Sequence, residues 1–324
     1  MAEMIARRMV QALLTLLVLS FITFAGIYMI GNPIEVLADE SATALDIQRL
    51  TERLGLDQPL HVQYLTYMGR LLSGDLGNSL VTSLPVSMMI LQRLPATIEM
   101  TCAAILLSVG IGLPLGILAG VFPQSRFSKI VSIGSIFGFS LPNFWLGLML
   151  LLVLAVYNPI FPPIGRGDTV TIGGVHWSFL TLDGLSHMVL PALTLAIGNI
   201  ALMLRLAKAG MQEVMQLDYI KQARIKGLSP WRVVMVHALR NVMIPIVTII
   251  GLEIGGLVAG SIITETVFAW PGIGKLLIDS INLLDRPVVV AYMMIFTFVF
   301  VVINLIVDIT YMVLDPRARD GLAR

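Results

Sequence analysis

"DYIKQARIKGLSPWRVVMVHALRN", Asp218–Asn241, is basic, polar and punctuated by Gly227, Ser229 and Pro230, yet it interrupts some of the most apolar sequence in the chain. Of the 324 residues 57% are hydrophobic and only 13% charged. Hydrocarbon does not accommodate so many Lys and Arg side chains in one stretch, so this segment must lie between two membrane spans and touch something outside the lipid.

Counting outward from it, mean hydropathy of +0.89 and runs of about twenty apolar residues indicate spanning helices. Six are expected, near Met9–Ile30, Ala96–Phe122, Ile130–Tyr157, Ser186–Leu204, Val242–Ile263 and Val288–Leu314. At about 1.5 Å per residue each is long enough to cross with some tilt. The result is an all-α membrane protein: residues 1–30 hold the N-terminus and first helix, 31–95 an extramembrane segment, 96–314 a core of five helices, and 315–324 a tail. The first span follows Arg7 and Arg8 but is too long for a signal-peptide core and lacks an adjacent small-x-small site, so it is expected as an uncleaved signal-anchor.

Charge sets the orientation. Arg7, Arg8, Arg126, Lys129, the many basic residues of 205–241, Arg317, Arg319 and Arg324 all fall on one side of a six-span chain, whereas Glu35–Asp75 is acidic overall. The positive-inside rule makes the basic side cytoplasmic, with both termini and the opening segment. Residues 31–95 then lie outside, where Ile47, Leu50 and Leu54, and Val62, Leu65, Met68 and Leu72, recur at helical spacing and predict short amphipathic helices.

Signs of reaction chemistry are few. The histidines His61, His176, His187 and His237 are scattered without metal-ligand spacing, and Cys102 is the sole cysteine. "PGIGKLL" (Pro271–Leu277) fails as a phosphate loop, because Ala269 stands at the first glycine position and Leu276 at the Ser/Thr position. "LSGD" (Leu72–Asp75) lies on the outer side, away from ATP. No catalytic group, metal site or bound cofactor is expected in this chain.

Helix-packing signals are plentiful. Gly112, Gly116 and Gly120, Gly134 and Gly138, and Gly251, Gly255, Gly256 and Gly260 follow small-x-x-x-small spacing, which serves either close packing within the chain or a pore- or subunit-facing surface. Pro114, Pro142, Pro191 and Pro245 inside spans need protein or a wet cavity nearby. Two ionisable groups stand within spans. Asp308 suits a capping or subunit contact, and Glu253 serves either a pathway or a packing role. Asn143, Asn199 and Glu253 form the candidate pathway set.

The opening segment reads as two short helices. Met211, Val214 and Met215, continued by Ile220 and Ala223, make an apolar face, while Lys221, Arg224 and Lys226 load a helix C-terminus. Gly227 is a C′ residue, Ser229 an N-cap, Pro230 an N1 residue, and Trp231, Val234, Met235 and Ala238 carry the next helix onward. Such a unit is either a solvated loop or a docking knob; exposed Met, Tyr219 and Trp231 side chains favour the knob, with small Ala223 expected at the contact with a partner cleft.

"DYIKQARIKGLS" followed by "HALRNVMIPIVT" resembles the coupling loop of permeases of the dipeptide/oligopeptide/nickel family of ABC importers. "LGLDQPLHVQYLTYMGRLLSGDLGNSL", "RLPATIEM", "SLPNFWLGLMLLL", "HMVLPALTLA", "TETVFAWPGIGKLLIDSI" and "DPRAR" are similar to that family nearly end to end, and Gly31–Pro95 resembles the first of its two paired permeases. The resemblance implies a type I importer fold in a bacterial inner membrane. It implies a heterodimer with a second permease, two cytosolic ATPases that bind ATP and Mg, and an external substrate-binding protein. It places the ATPase-coupling contact on Asp218, Tyr219, Lys221, Gln222, Ala223, Arg224, Lys226, Gly227, Ser229 and Pro230. Lys221-Gln222-Ala223 with Gly227 occupies the general E-A-A-x-x-x-G motif, with Lys in place of Glu. Glu265, Trp270, Pro271 and Gly272 are the candidate outer gate or rim. Dipeptides, oligopeptides, glutathione-like peptides, nickel chelates and opine-type compounds all remain as cargo. A proton- or ion-coupled carrier and a membrane enzyme are the competing classes.

Overall fold

The computed structural model describes residues 2–30, 34 and 43–314. The tail from 315 and most of 31–42 therefore lie outside the described residues, as does the side chain of Asp308. Five described helices are long and apolar enough to cross a membrane, or six if a bent pair counts as one span. The described residues divide into two compact units, those within 1–95 and 271–302 and those within 96–270 and 303–314, whose boundaries fall in helices and at Trp270–Pro271.

The first unit holds α1 (Ala2–Ile30), α2 (Ala44–Leu54), α3 (Leu60–Leu72) and the start of α4 (Val86–Leu107). The two expected amphipathic helices are present. Thr43 and Asp46 form a reciprocal capping box at the start of α2, and Gly55 closes it with φ 67°. Helix α3 packs on α1 through Tyr64, whose hydroxyl shares a 2.7 Å hydrogen bond with Ser20 between the edges of Phe21 and Phe24.

In the second unit α4 continues through a π-helical turn, Ser108–Gly112, into α5 (Leu113–Val121). Pro114 lies in the first turn of α5 and cannot donate its backbone bond, so the ladder shifts by one residue there rather than breaking. The span expected over Ile130–Tyr157 is instead two helices, α6 (Arg126–Ser140) and α7 (Asn143–Leu151, prolonged by a π-helical stretch to Tyr157), bent by 104°. Pro142 explains the break: it lacks an N–H, and it drives Leu141 before it into extended backbone at φ −82°, ψ 132°. A short hairpin not read from the sequence follows, β1 (Val170–Ile172) against β2 (Val175–Trp177), turned by Gly173 and Gly174 at φ 62° and 78°.

Helix α8 (Leu182–Val214) is the spine of this unit. Gly112, Gly116 and Gly120 abut it so closely that a Cβ on each would sit 2.7, 2.5 and 2.7 Å from the carbonyl oxygens of Ile200, Leu204 and Lys208. For these three glycines the spacing serves packing within the chain. Beyond α8 come α9 (Asp218–Ile225), α10 (Pro230–Arg232), a π-helical turn over Val233–Ala238, and α11 (Leu239–Val267). The last two helices, α12 (Ile273–Asn282) and α13 (Arg286–Leu314), complete the order.

Candidate functional site

The segment that opened the sequence folds as a helical knuckle. Leu217 enters α9 in extended backbone and Gly227 leaves it at φ 78°, while the Leu228 N–H returns to the Ala223 carbonyl at 3.3 Å. Ser229 then accepts a bond from the Arg232 N–H, with Pro230 at the first helical position. Met211, Val214, Ile220, Ala223, Val233, Ala238 and Val242 form one buried cluster. Fully burying a side chain such as Ile220 contributes roughly 1.5–3 kcal/mol.

Ala223 lies on the apolar face expected for it with Met211, Val214 and Ile220. It is only 7% exposed and packs inward with Ile220 three residues before it, so its small size fits the knuckle onto its own chain and leaves little of it for the expected contact with a partner cleft. Tyr219 is also engaged: Asn241 donates to its hydroxyl at 2.6 Å, and the hydroxyl donates to the His237 carbonyl at 3.4 Å, pinning α9 to the start of α11. What remains outside is Ile225 at 85% exposure and Trp231 at 72%. Exposed with them are Gln222, Lys226 and Arg224, whose guanidinium lies 3.8 Å from the Met215 sulfur. Lys221 pairs with Asp218 at 2.8 Å and, through that hydrogen bond first, holds the Asp218 carboxyl below its ordinary range.

The three candidate pathway residues converge on one cavity of about 260 Å³. The break at Pro142 brings Phe139, Leu141 and Asn143 to it; α8 supplies Leu195, Gly198, Asn199 and Leu202; α11 supplies Glu253, Gly256, Leu257 and Gly260. The glycines leave room in front of the polar groups. A Cβ on Gly198 would lie 3.9 Å from Asn143 Oδ1, and one on Gly256 3.8 Å from Glu253 Oε2. Asn199 Nδ2 donates to the Leu195 carbonyl at 3.3 Å, which leaves its oxygen unspent among the described residues. Nearby cations are committed elsewhere: Arg205 lies 4.2 Å over the Phe139 ring, and Lys208 donates to Ser132 Oγ at 2.6 Å.

The candidate rim residues are interior. Glu265 and Trp270 are both fully buried. The Glu265 carboxylate accepts from Thr97 at 2.6 Å and Ser261 at 3.3 Å, and the Trp270 indole donates to the Ala96 carbonyl at 2.8 Å. An indole this large gains most when sunk into a core with its N–H satisfied, so both side chains hold the bundle together here. In the other unit Pro271 is half-buried and Gly272 buried.

A second buried carboxylate escapes sequence reading. Glu99 accepts from Arg166 Nε at 3.1 Å and Nη2 at 2.7 Å, and from Ser178 N and Oγ at 2.7 Å each. Arg166 Nη2 also donates to the His176 carbonyl at 2.6 Å. The clip ties α4 to both sides of the hairpin. The available signals are a Glu in an apolar helix and a lone Arg in a stretch otherwise free of basic residues.

Comparison with known proteins follows the same outline. The family model described as "Binding-protein-dependent transport system inner membrane component" matches residues 112–320, and that described as "Binding-prot-dependent transport system membrane comp, N-term" matches residues 1–101. The dipeptide transport system permease protein DppB of Escherichia coli (strain K12) is 37% identical over 338 residues, covering 98% of this chain and 99% of its own. The di/tripeptide transport system permease protein DppB of Pseudomonas aeruginosa (strain UCBPP-PA14) is 40% identical over 337 residues with the same coverage. Among solved structures, a chain of the MetNI methionine ABC transporter in an inward-facing crystal form superposes with a TM-score of 0.54, over 71% of this chain and 97% of that one, at 17% identity. That likeness is one of fold.

Proposed function

The chain belongs to the family of binding-protein-dependent transport system inner membrane components, and from that premise we propose that it forms half of the translocation pathway of an ATP-driven importer of di- or oligopeptides or related small solutes. The observation that carries the cargo class is the end-to-end likeness to dipeptide and di/tripeptide permeases. In this proposal a second permease completes the pathway. Two cytosolic ATPases bind ATP and Mg, and a binding protein delivers the solute from outside.

The geometry supplies a route for coupling. Ile225 and Trp231 present apolar surface on a knuckle whose other face is anchored by Ile220, Ala223 and the Tyr219 hydrogen bonds. A large apolar side chain left in water gains free energy only on meeting a partner. Docked in a cleft of an ATPase, the knuckle would move as one piece with it. Alternating access then needs no chemistry in this chain, only two arrangements of the helices with different affinity for solute. The one-sided basic residues support a cytoplasmic knuckle, with 31–95 outside.

The test is reconstitution of the chain with the second permease, ATPases and binding protein that the proposal requires. ATP-dependent uptake of a labelled dipeptide is expected from the complex and none from this chain alone. Reporter fusions after Ser73 and Asp168 should read outside, and fusions after Lys221 and Arg319 inside. An inside signal at Ser73 would sink the orientation and the docking argument with it.

A further inference from the structure

The polar groups of the cavity are arranged for a particular kind of ligand. Among the described residues neither the Glu253 carboxylate nor the Asn143 carboxamide has a hydrogen-bonding or ionic partner, and both border the same space as Asn199. A half-buried carboxylate without a partner is costly in a membrane bundle, and one flanked by two carboxamides across a cavity is better explained by what enters it than by packing. We infer that this cavity is a recognition subsite for the protonated amino end of the solute, with Glu253 as counter-charge and the Asn143 and Asn199 oxygens as acceptors; the inference rests on the chain being a peptide permease.

The lining excludes the alternatives in turn. An anionic end finds no Lys or Arg among the described residues that line the cavity, and the Glu253 carboxylate would repel it. A hard metal ion gathers about six to eight oxygens, whereas one carboxylate and two carboxamides stand here among leucines and a phenylalanine. That mixture suits an organic ammonium beside an apolar side chain. The size agrees. A cavity of about 150 Å³ holds a benzene ring, so one of about 260 Å³ has room for an amino terminus and its first residue.

Gly256 gives access to the site from its own wall, since a Cβ there meets nothing closer than Glu253 Oε2 at 3.8 Å. In the assembled complex with Cys102→Ser and Gly256→Cys, a cationic methanethiosulfonate should modify the new thiol about tenfold faster than an anionic one, and Glu253→Gln should erase that preference. In a complex with native Gly256, Glu253→Gln should lower dialanine uptake by about tenfold or more, as expected for a lost charge-assisted bond, while Glu253→Asp stays within about threefold of wild type. ATPase stimulation by dialanine-loaded binding protein should persist in the Gln variant. No charge preference in the modification of the Gly256→Cys thiol, unchanged uptake in Glu253→Gln, or loss of ATPase stimulation together with uptake would each overturn the subsite. A wild-type complex that imports no dialanine would instead refute the peptide permease itself.

Discussion

Arg166→Met is the sharpest perturbation the structure offers. The Glu99 side chain is 1% exposed and accepts four hydrogen bonds, two of them from Arg166. Methionine keeps the length and apolar stem of arginine but removes both donors, leaving a carboxylate sealed in the bundle with only Ser178. Breaking a buried pair from one side costs about 3–5 kcal/mol, because the stranded charge keeps its desolvation penalty. Replacing both partners removes that penalty, so Glu99→Leu with Arg166→Met should be milder than either single change would suggest. The assay is hydrogen exchange, since the clip controls local opening of the hairpin rather than global unfolding. Peptides spanning 164–180 should exchange roughly a hundredfold to several thousandfold faster in Arg166→Met, and peptides spanning 215–240 should not change. An increase below about tenfold, or a double variant as loose as the single, would show that solvent already reaches Glu99 and that the clip holds little.

Three further outcomes follow from contacts elsewhere. Gly116→Val places side-chain atoms where even a Cβ sits 2.5 Å from the Leu204 carbonyl, so it should cost about 1–3 kcal/mol or more by overpacking and appear as poor accumulation of folded chain; normal accumulation and uptake would mean α5 and α8 separate easily. Gly227→Val forces a β-branched residue into φ 78° and should uncouple ATP hydrolysis from uptake while membrane insertion persists, a result checked by comparing the two rates in one vesicle preparation. Trp231→Ala removes a ring that is 72% exposed, so the chain should stay folded while the ATPases dissociate about tenfold or more faster; unchanged dissociation would place the docking surface elsewhere.

What the sequence can show tracks how local the cause is. Gly227, Ser229 and Pro230 announce the knuckle because caps and left-handed turns are set by a few adjacent residues. Ala223 reads correctly as part of the apolar face with Met211, Val214 and Ile220, but how little of it that face leaves for a partner depends on Val233 and Ala238, which join the cluster only after folding. That Glu265 and Trp270 are buried is not legible for the same reason: the partners that bury them, Thr97 and the Ala96 carbonyl, lie about 170 positions away in sequence. The Glu99–Arg166 pair spans 67 positions, beyond any periodicity. Two other features do have local signals. "LPN" at Leu141–Asn143 is a helix stop, and "TIGGVHW" at Thr171–Trp177 is a Gly-Gly hairpin turn. The stop matters more, because without the 104° bend Asn143 would not reach the cavity it shares with Asn199 and Glu253.

Helix α8 connects these parts physically. Its 33 residues span about 50 Å at 1.5 Å each. Thr181, the cap of its first turn, follows the Ser178 of the Glu99 clip; Leu195–Leu202 line the cavity; Met203–Val214 carry the apolar floor of the knuckle. Between cavity and knuckle the three glycine contacts with Ile200, Leu204 and Lys208 leave no slack, so a displacement of the knuckle reaches the cavity wall without a flexible joint on the way. The weak point lies at the other end, where Pro191 deprives one turn of a backbone bond between the cavity and the clip. Motion imposed at the knuckle should therefore pivot near Pro191 and be spent on the cavity, while the clip stays still. In the proposed importer α8 carries that motion to Asn199 and α11, continuous with the knuckle, carries it to Glu253, while Asn143 stands beyond the break at Pro142. The acceptors that hold an amino end together then come apart, and affinity for solute falls when the pathway opens inward.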